Sequence, residues 1–268
     1  MTAVTGTRED AAPAGPAAGV VLETSGLTAG YGDLAAVRDV SISVRRGEIV
    51  ALFGANGAGK TTTLMATVGA LGRMAGEVRW RGELTHGPVH RLARQGLAFV
   101  PEERSVISGL STLDNLRIGR GPVEKALAWF PELEPLLGRN AGLLSGGQQQ
   151  MLTLARALAA EPEVLVIDEL SLGLAPLVVD RLLAVLRDAA DDRGLGVLLV
   201  EQQAQRAMTI ADRWYLLANG RVVAEGDRRA GVEALRTAFL SHMRAGPGAP
   251  AATSSDPGPA GRPTRTQT

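Results

Sequence analysis

Eight consecutive residues, Gly54-Ala55-Asn56-Gly57-Ala58-Gly59-Lys60-Thr61, have the types and spacing of a loop that wraps phosphate. Glycines at Gly54 and Gly59 permit the backbone angles that turn N–H groups inward. Lys60 would reach the β- and γ-phosphates of a nucleoside triphosphate, Thr61 would offer its hydroxyl to Mg²⁺, and Thr62 completes the run. A second stretch, Val164-Leu165-Val166-Ile167-Asp168-Glu169, is apolar and ends in two acids. Glu163 to Ile167 reads as a buried strand, so both carboxylates emerge at its carboxyl end, where open α/β sheets place ligands. Asp168 would hold Mg²⁺ directly or through water, and Glu169 would orient and polarise an attacking water; phosphoryl transfer asks mainly for such positioning and charge neutralisation. Between them stands Leu144-Ser145-Gly146-Gly147-Gln148, which joins a hydroxyl and two unshielded backbone N–H groups to a helix start. Taken singly, these are a glycine-rich turn, a strand followed by a polar turn, and a helix cap. Taken together, they point to a bound and hydrolysed nucleotide.

These residues need a sheet behind them. Glu48 to Phe53, Val164 to Asp168 and Val197 to Val200 are apolar strand patterns separated by helical stretches. That alternation predicts an α/β fold, a mostly parallel sheet covered by helices. Two hairpins are expected: one from Val37 to Val50 turning at Arg46-Gly47, the other from Trp214 to Ala224 turning at Asn219-Gly220. From Leu110 to Leu144 the pattern turns helical, broken by Pro131 and Pro135, and reads as a helical insertion. The apolar stripe of Met151 to Leu158 reads as core. Residues 1–19 and 245–268 are rich in Ala, Pro and Gly without periodicity, and are expected to be disordered.

Composition removes several classes. Lys plus Arg and Asp plus Glu number 28 each, so no net basic field favours nucleic acid or anionic lipid. The absence of cysteine excludes disulfides, thiolate metal sites and a cysteine nucleophile. No secretory signal is expected, and no apolar run approaches the roughly 20 residues that cross a bilayer, so any membrane crossing falls to another chain. His86 and His90 are set aside as metal ligands because Gly87-Pro88 lies between them.

The order of phosphate loop, Leu-Ser-Gly-Gly-Gln and acid-terminated strand resembles the ATP-binding cassette of ABC transporters over nearly all of residues 21–244. The resemblance implies a P-loop NTPase cassette at 20–244: a RecA-like core of mostly parallel sheet, an antiparallel β subdomain, and a helical subdomain at about 105–160. It implies ATP with Mg²⁺, sandwiched between two cassettes, with Ser145, Gly146, Gly147 and Gln148 of one capping the γ-phosphate held by the other's phosphate loop. Tyr31 matches the family's adenine-stacking aromatic, which suits a base's π-face.

Three positions depart from the general pattern. Glu102 stands for the usual lid-loop Gln and is a candidate for nucleotide and metal contact. Gln202 stands for the switch His beside the catalytic Glu169 and Lys60, and Ala175 stands for an Asp. Val100-Pro101-Glu102, Ser171-Leu172-Gly173-Leu174-Ala175-Pro176 and Val200-Glu201-Gln202 instead resemble the LivF-type ATP-binding subunit of branched-chain amino-acid importers. Leu170, Glu103-Arg104-Ser105 and Ile107 still depart from that branch. The implied partners are two polytopic permeases, a second and favoured heteromeric cassette, and an extracytoplasmic binding protein that the chain does not touch. The implied location is the cytoplasmic face of the plasma membrane. Rival functions are a urea or short-amide importer, a soluble ABC ATPase on ribosomes or DNA, and a nucleotide-gated module without turnover.

Overall fold

Strands β1 (Val20–Tyr31) and β2 (Leu34–Arg45) form an antiparallel hairpin that closes where Tyr31 pairs with Leu34. A computed structural model of the chain describes residues 19–245 apart from His86 and Arg104. The expected disorder of residues 1–19 and 245–268 falls outside the described residues except at Gly19, which lies in a turn, and Ala245, which ends the last helix; the readings of His86 and Arg104 also lie outside them.

After the hairpin come β3 (Ile49–Phe53), α1 (Lys60–Thr67), β4 (Arg73–Trp80), β5 (Glu83–Leu84), α2 (Val89–Arg94) and β6 (Leu97–Val100). Helices α3 (Thr112–Arg117), α4 (Val123–Trp129) and α5 (Gly146–Ala159) follow, with short 3₁₀ turns at Pro131–Leu136 and Ala141–Leu143. The chain then runs through β7 (Val164–Asp168), α6 (Pro176–Arg193), β8 (Gly196–Val200), α7 (Ala204–Ile210), β9 (Arg213–Ala218), β10 (Arg221–Asp227) and α8 (Gly231–Ala245). Two sheets result. The antiparallel one has the order β2-β1-β4-β5; the other has the order β10-β9-β3-β8-β7-β6 and is parallel except at its β10 edge.

The expected hairpin at Arg46-Gly47 is not formed. A turn exists there, but it hands the chain from one sheet to the other: β2 pairs with β1, whereas β3 pairs in parallel with β8 and β9. The burial of β3 explains why, since all five of its residues are buried. Ile49, Ala51 and Phe53 enter the core shared with α5 and α6, while Val50 and Leu52 enter the core shared with the antiparallel sheet and α1. A strand apolar on both faces belongs inside a parallel sheet, not at a half-exposed hairpin edge. The Trp214–Ala224 hairpin does form, as β9 and β10. Its turn residues Asn219 and Gly220 have φ of 48° and 74°, the left-handed pair that a tight two-residue turn requires.

The helical segment from Leu110 to Leu144 is present, and its Leu116, Phe130, Leu133 and Leu144 are buried in one core with Leu152 and Leu154 of α5 and with the parallel sheet. Strands β3, β6, β7 and β8 all end at one edge of that sheet, and the loops that follow them carry the site.

Candidate functional site

The chain leaves β3 at Phe53 and turns through Gly54–Gly59 before α1 begins at Lys60. Gly59 caps that helix at φ 102°, and a Cβ there would lie 2.4 Å from Val37 Cγ1. Only glycine has both the angle and the room. Gly54 differs from expectation. It does not need a left-handed angle; it needs space, because a Cβ would lie 2.4 Å from the Leu217 carbonyl oxygen. Ala55, Asn56 and Gly57 are exposed at the rim, and Ala58 and Thr62 are buried. Lys60 is buried, donating from Nζ to the carbonyls of Gly54 (3.0 Å) and Ala55 (3.2 Å), with Glu169 Oε1 at 3.8 Å.

Asp168 is the last residue of β7 rather than the first beyond it, and it is only 1% exposed. The Thr61 hydroxyl lies close enough to bear on its carboxylate, while its Oδ1 is buried with no hydrogen-bond partner among the described residues. Burial pushes this carboxyl above the ordinary aspartate range. The Thr61 hydroxyl opposes that rise, the charges of Glu169 and Glu102 add to it, and the Lys60 ammonium offsets part of it. Glu102, exposed just beyond β6, therefore stands close enough to bear on Asp168. An orphaned buried carboxylate oxygen beside a hydroxyl, with two further acids near, is the hard oxygen environment that suits Mg²⁺. No cluster of three protein ligands occurs among the described residues. A Mg²⁺ bound partly through substrate phosphates needs no such cluster.

Glu169 has φ of 51°, a left-handed conformation that costs a non-glycine residue about 1–3 kcal/mol. Its N–H donates to Val200 O at 3.1 Å, holding the turn against β8. Gln202, just beyond β8, donates from Nε2 to Glu169 Oε1 at 2.7 Å. Lys60, Thr61, Glu102, Asp168, Glu169 and Gln202 thus meet at one sheet edge.

The family model described as ABC transporter matches residues 37–171. The chain belongs to the ABC transporter family. A high-affinity branched-chain amino acid transport ATP-binding protein of Pseudomonas aeruginosa is 42% identical over 203 residues, covering 72% of this chain and 87% of that protein. A probable branched-chain amino acid transport ATP-binding protein of Archaeoglobus fulgidus is 38% identical, covering 77% of this chain and 92% of that one. A nucleotide-free ATP-binding cassette from an ABC transporter superposes with TM-score 0.73 and 26% identity, over 84% of this chain and 96% of that cassette. The chain is an ABC ATPase that works in transport. It has the cassette's α/β fold, binds nucleotide and works with membrane permeases. No helix among the described residues is long and apolar enough to cross a membrane.

The remaining cassette positions lie apart from the cluster. Ser145 is the N-cap of α5: its Oγ accepts from Gln148 N–H at 3.3 Å, and Gln148 Oε1 accepts from Ser145 N–H at 2.9 Å. That reciprocal box fixes the start of α5. Gly146 opens the helix, and Gly147 lies where a Cβ would press Val178 Cγ1 at 2.9 Å. Among the described residues no hydrogen bond or ion pair joins Ser145–Gln148 to the phosphate loop. Tyr31, 60% exposed, ends β1 at the tip of the hairpin whose second strand packs against Gly59. Ala175 is the N-cap of α6 and makes no side-chain cap bond, but Pro176 at the first helical position removes one N–H that would want an acceptor. Leu170 is buried in the core, which accounts for an apolar residue after the acidic pair.

One pair escaped the sequence reading. Glu201 is 2% exposed and accepts from Ser171 N–H at 3.0 Å and Ser171 Oγ–H at 2.6 Å. Burial pushes its carboxyl above the ordinary glutamate range; the Ser171 and Gln202 hydrogen bonds oppose this and the Glu169 charge reinforces it. The available signal was an acid directly behind a fully apolar strand, which reads equally well as the polar end of any strand.

Proposed function

We propose that this chain is the LivF-type ATP-hydrolysing subunit of an importer for branched-chain amino acids, peripheral on the cytoplasmic face of the plasma membrane. The observation that carries the reading is the assembly of Lys60, Thr61, Asp168, Glu169 and Gln202 at one sheet edge. The two amino-acid transport relatives support the cargo, and their identities exceed the 34% of a lipopolysaccharide export ATP-binding protein from Escherichia coli K12. We assign residues 20–244 to the cassette, with its helical subdomain at about 105–160.

In this reading adenine stacks on Tyr31, the Gly54–Thr62 backbone cradles the phosphates, and the Lys60 ammonium swings from its loop carbonyls to the β- and γ-phosphates. Thr61 and Asp168, with Glu102 near, hold Mg²⁺, which neutralises charge on the phosphates when bound. A second cassette closes its own Ser145, Gly146, Gly147 and Gln148 over the γ-phosphate, so α5 directs its positive end at the anion. Glu169 accepts a hydrogen bond from the attacking water and Gln202 fixes that carboxylate by its amide. Water oxygen joins the γ-phosphorus as the bond to the bridging oxygen breaks, and the water's proton leaves toward Glu169. The products are ADP and phosphate, whose departure separates the cassettes and moves the permeases. The second cassette is a related, His-bearing chain in this reading, and the binding protein delivers cargo without touching this subunit.

The test is ATP hydrolysis by the purified transporter complex in vesicles, with binding protein and either leucine, isoleucine, valine or urea. The reading expects stimulation by the branched-chain amino acids and collapse of turnover in Glu169→Gln, by roughly 10²–10³-fold. Stimulation by urea alone would overturn the cargo, and undiminished hydrolysis by Glu169→Gln would overturn the role of that carboxylate.

A further inference from the structure

We propose that Glu201 is a positioning residue for ATP hydrolysis, tying the turn after the acidic pair to the strand end that carries Gln202, and so setting the Glu169–Gln202 contact. The inference rests on the reading of Glu169 as the carboxylate that polarises water.

Glu201 is an ionisable side chain in a place that penalises charge, at 2% exposure. Among the described residues no cation pairs with it, and Glu169 is the charged group that bears on it. A fold that needed only packing here would be served by an apolar residue. What the carboxylate supplies is two acceptors with fixed polarity. Ser171 N–H and Ser171 Oγ–H both donate to it, at 3.0 and 2.6 Å. Ser171 lies two residues beyond Glu169, and Gln202 follows Glu201 directly. Because β7 and β8 are parallel neighbours, with Asp168 opposite Val200, the Glu201–Ser171 bonds bridge the two loops one step past the sheet. The Gln202 Nε2 to Glu169 Oε1 contact of 2.7 Å is the next link outward. Ser171 also opens the turn that presents Leu172 half exposed at the surface, so a shift of that turn is passed through Glu201 to the reacting groups.

The experiment compares Glu201→Ala, Glu201→Gln, Ser171→Ala and the double variant Ser171→Ala/Glu201→Ala, each in the full chain within its purified ATP-hydrolysing complex. Equilibrium ATP affinity and kcat are both read, with Glu169→Gln as the control. Glu201→Ala should lower kcat by roughly tenfold to a hundredfold while ATP affinity stays within about threefold, since misplacement by a fraction of an ångström is felt in the chemical step. Glu201→Gln keeps an acceptor for Ser171 N–H and should retain kcat within about threefold. The double variant should be no slower than Glu201→Ala, because both changes break one link. Unchanged kcat in Glu201→Ala, or a loss of kcat matched by an equal loss of ATP affinity and of melting temperature, would overturn the proposal. Should Glu201→Ala fail to fold, Ser171→Ala decides: a kcat reduced about threefold or more supports the link, and an unchanged kcat overturns it. Full activity in Glu169→Gln would instead show that the parent reading of Glu169 had failed.

Discussion

At the scale of single residues, the chemistry of this chain is governed by which groups carry charge out of water. Gln202 is a neutral amide bonded to Glu169, where the resemblance to the general cassette pattern would place an imidazole. An amide does not titrate, so hydrolysis should show no inflection near the ordinary histidine pKa of about 6.5. Gln202→His should introduce one, with ATP binding intact and turnover altered; a pH–rate profile identical to that of the parent would remove Gln202 from the mechanism. Glu201 gives a stability prediction. Its carboxyl is held above the glutamate range, so the folded chain holds that proton more tightly than the unfolded chain. The resulting stabilisation is complete below the unfolded pKa of about 4.3 and is lost as pH rises through the raised folded value. Glu201→Gln escapes that loss. The melting-temperature difference between variant and parent should widen in the variant's favour from about pH 4 to 7, and a constant difference would contradict the assignment. The phosphate loop and the acidic pair were legible because residue type, order and flanking apolar runs coincide. Glu201 was not, because its significance lies in burial against Ser171, a contact between segments thirty residues apart.

Elements decide how these groups are presented. Helix α5 begins at a capping box, so Ser145 has two separable duties. Ser145→Asp keeps an N-cap acceptor and should leave unfolding free energy within a few tenths of a kcal/mol, yet put a carboxylate where the partner's γ-phosphate is expected. ATP-dependent association should then fail while the monomer stays folded, and light scattering with denaturant titration reads both. Ser145→Ala should instead cost about 1 kcal/mol of stability. The β9–β10 turn is equally specific. At Gly220 a Cβ would meet the Ala36 carbonyl oxygen at 2.3 Å, φ is +74°, and the Gly220 carbonyl accepts from Arg38 N–H at 2.8 Å. Gly220→Ala should cost about 1–3 kcal/mol or more in urea unfolding, because it disturbs the seam between the two sheets as well as the turn. This hairpin was legible from Asn219-Gly220, a local signal. The supposed hairpin at Arg46-Gly47 was misread because alternation in Val37 to Val44 and burial in Ile49–Phe53 belong to different sheets. Strand pairing across long separations leaves no mark in a short window.

The whole molecule is half of a machine in this account. The chain brings the phosphate loop, Asp168 and Glu169 together, while Ser145–Gln148 lies elsewhere on the same chain. On the proposed reading a second cassette completes the site, and Leu172 and Leu177, both exposed, suit burial in that contact. No helix among the described residues is long and apolar enough to cross a bilayer, and in this account the work passes to the permeases. The most direct measurement is therefore the set of proteins that co-purify with a tagged full-length copy from gently solubilised native membranes. The account predicts two polytopic permeases and a second, His-bearing cassette. Recovery of ribosomes or DNA-bound proteins with no permease would contradict the importer while leaving the ATP chemistry in place.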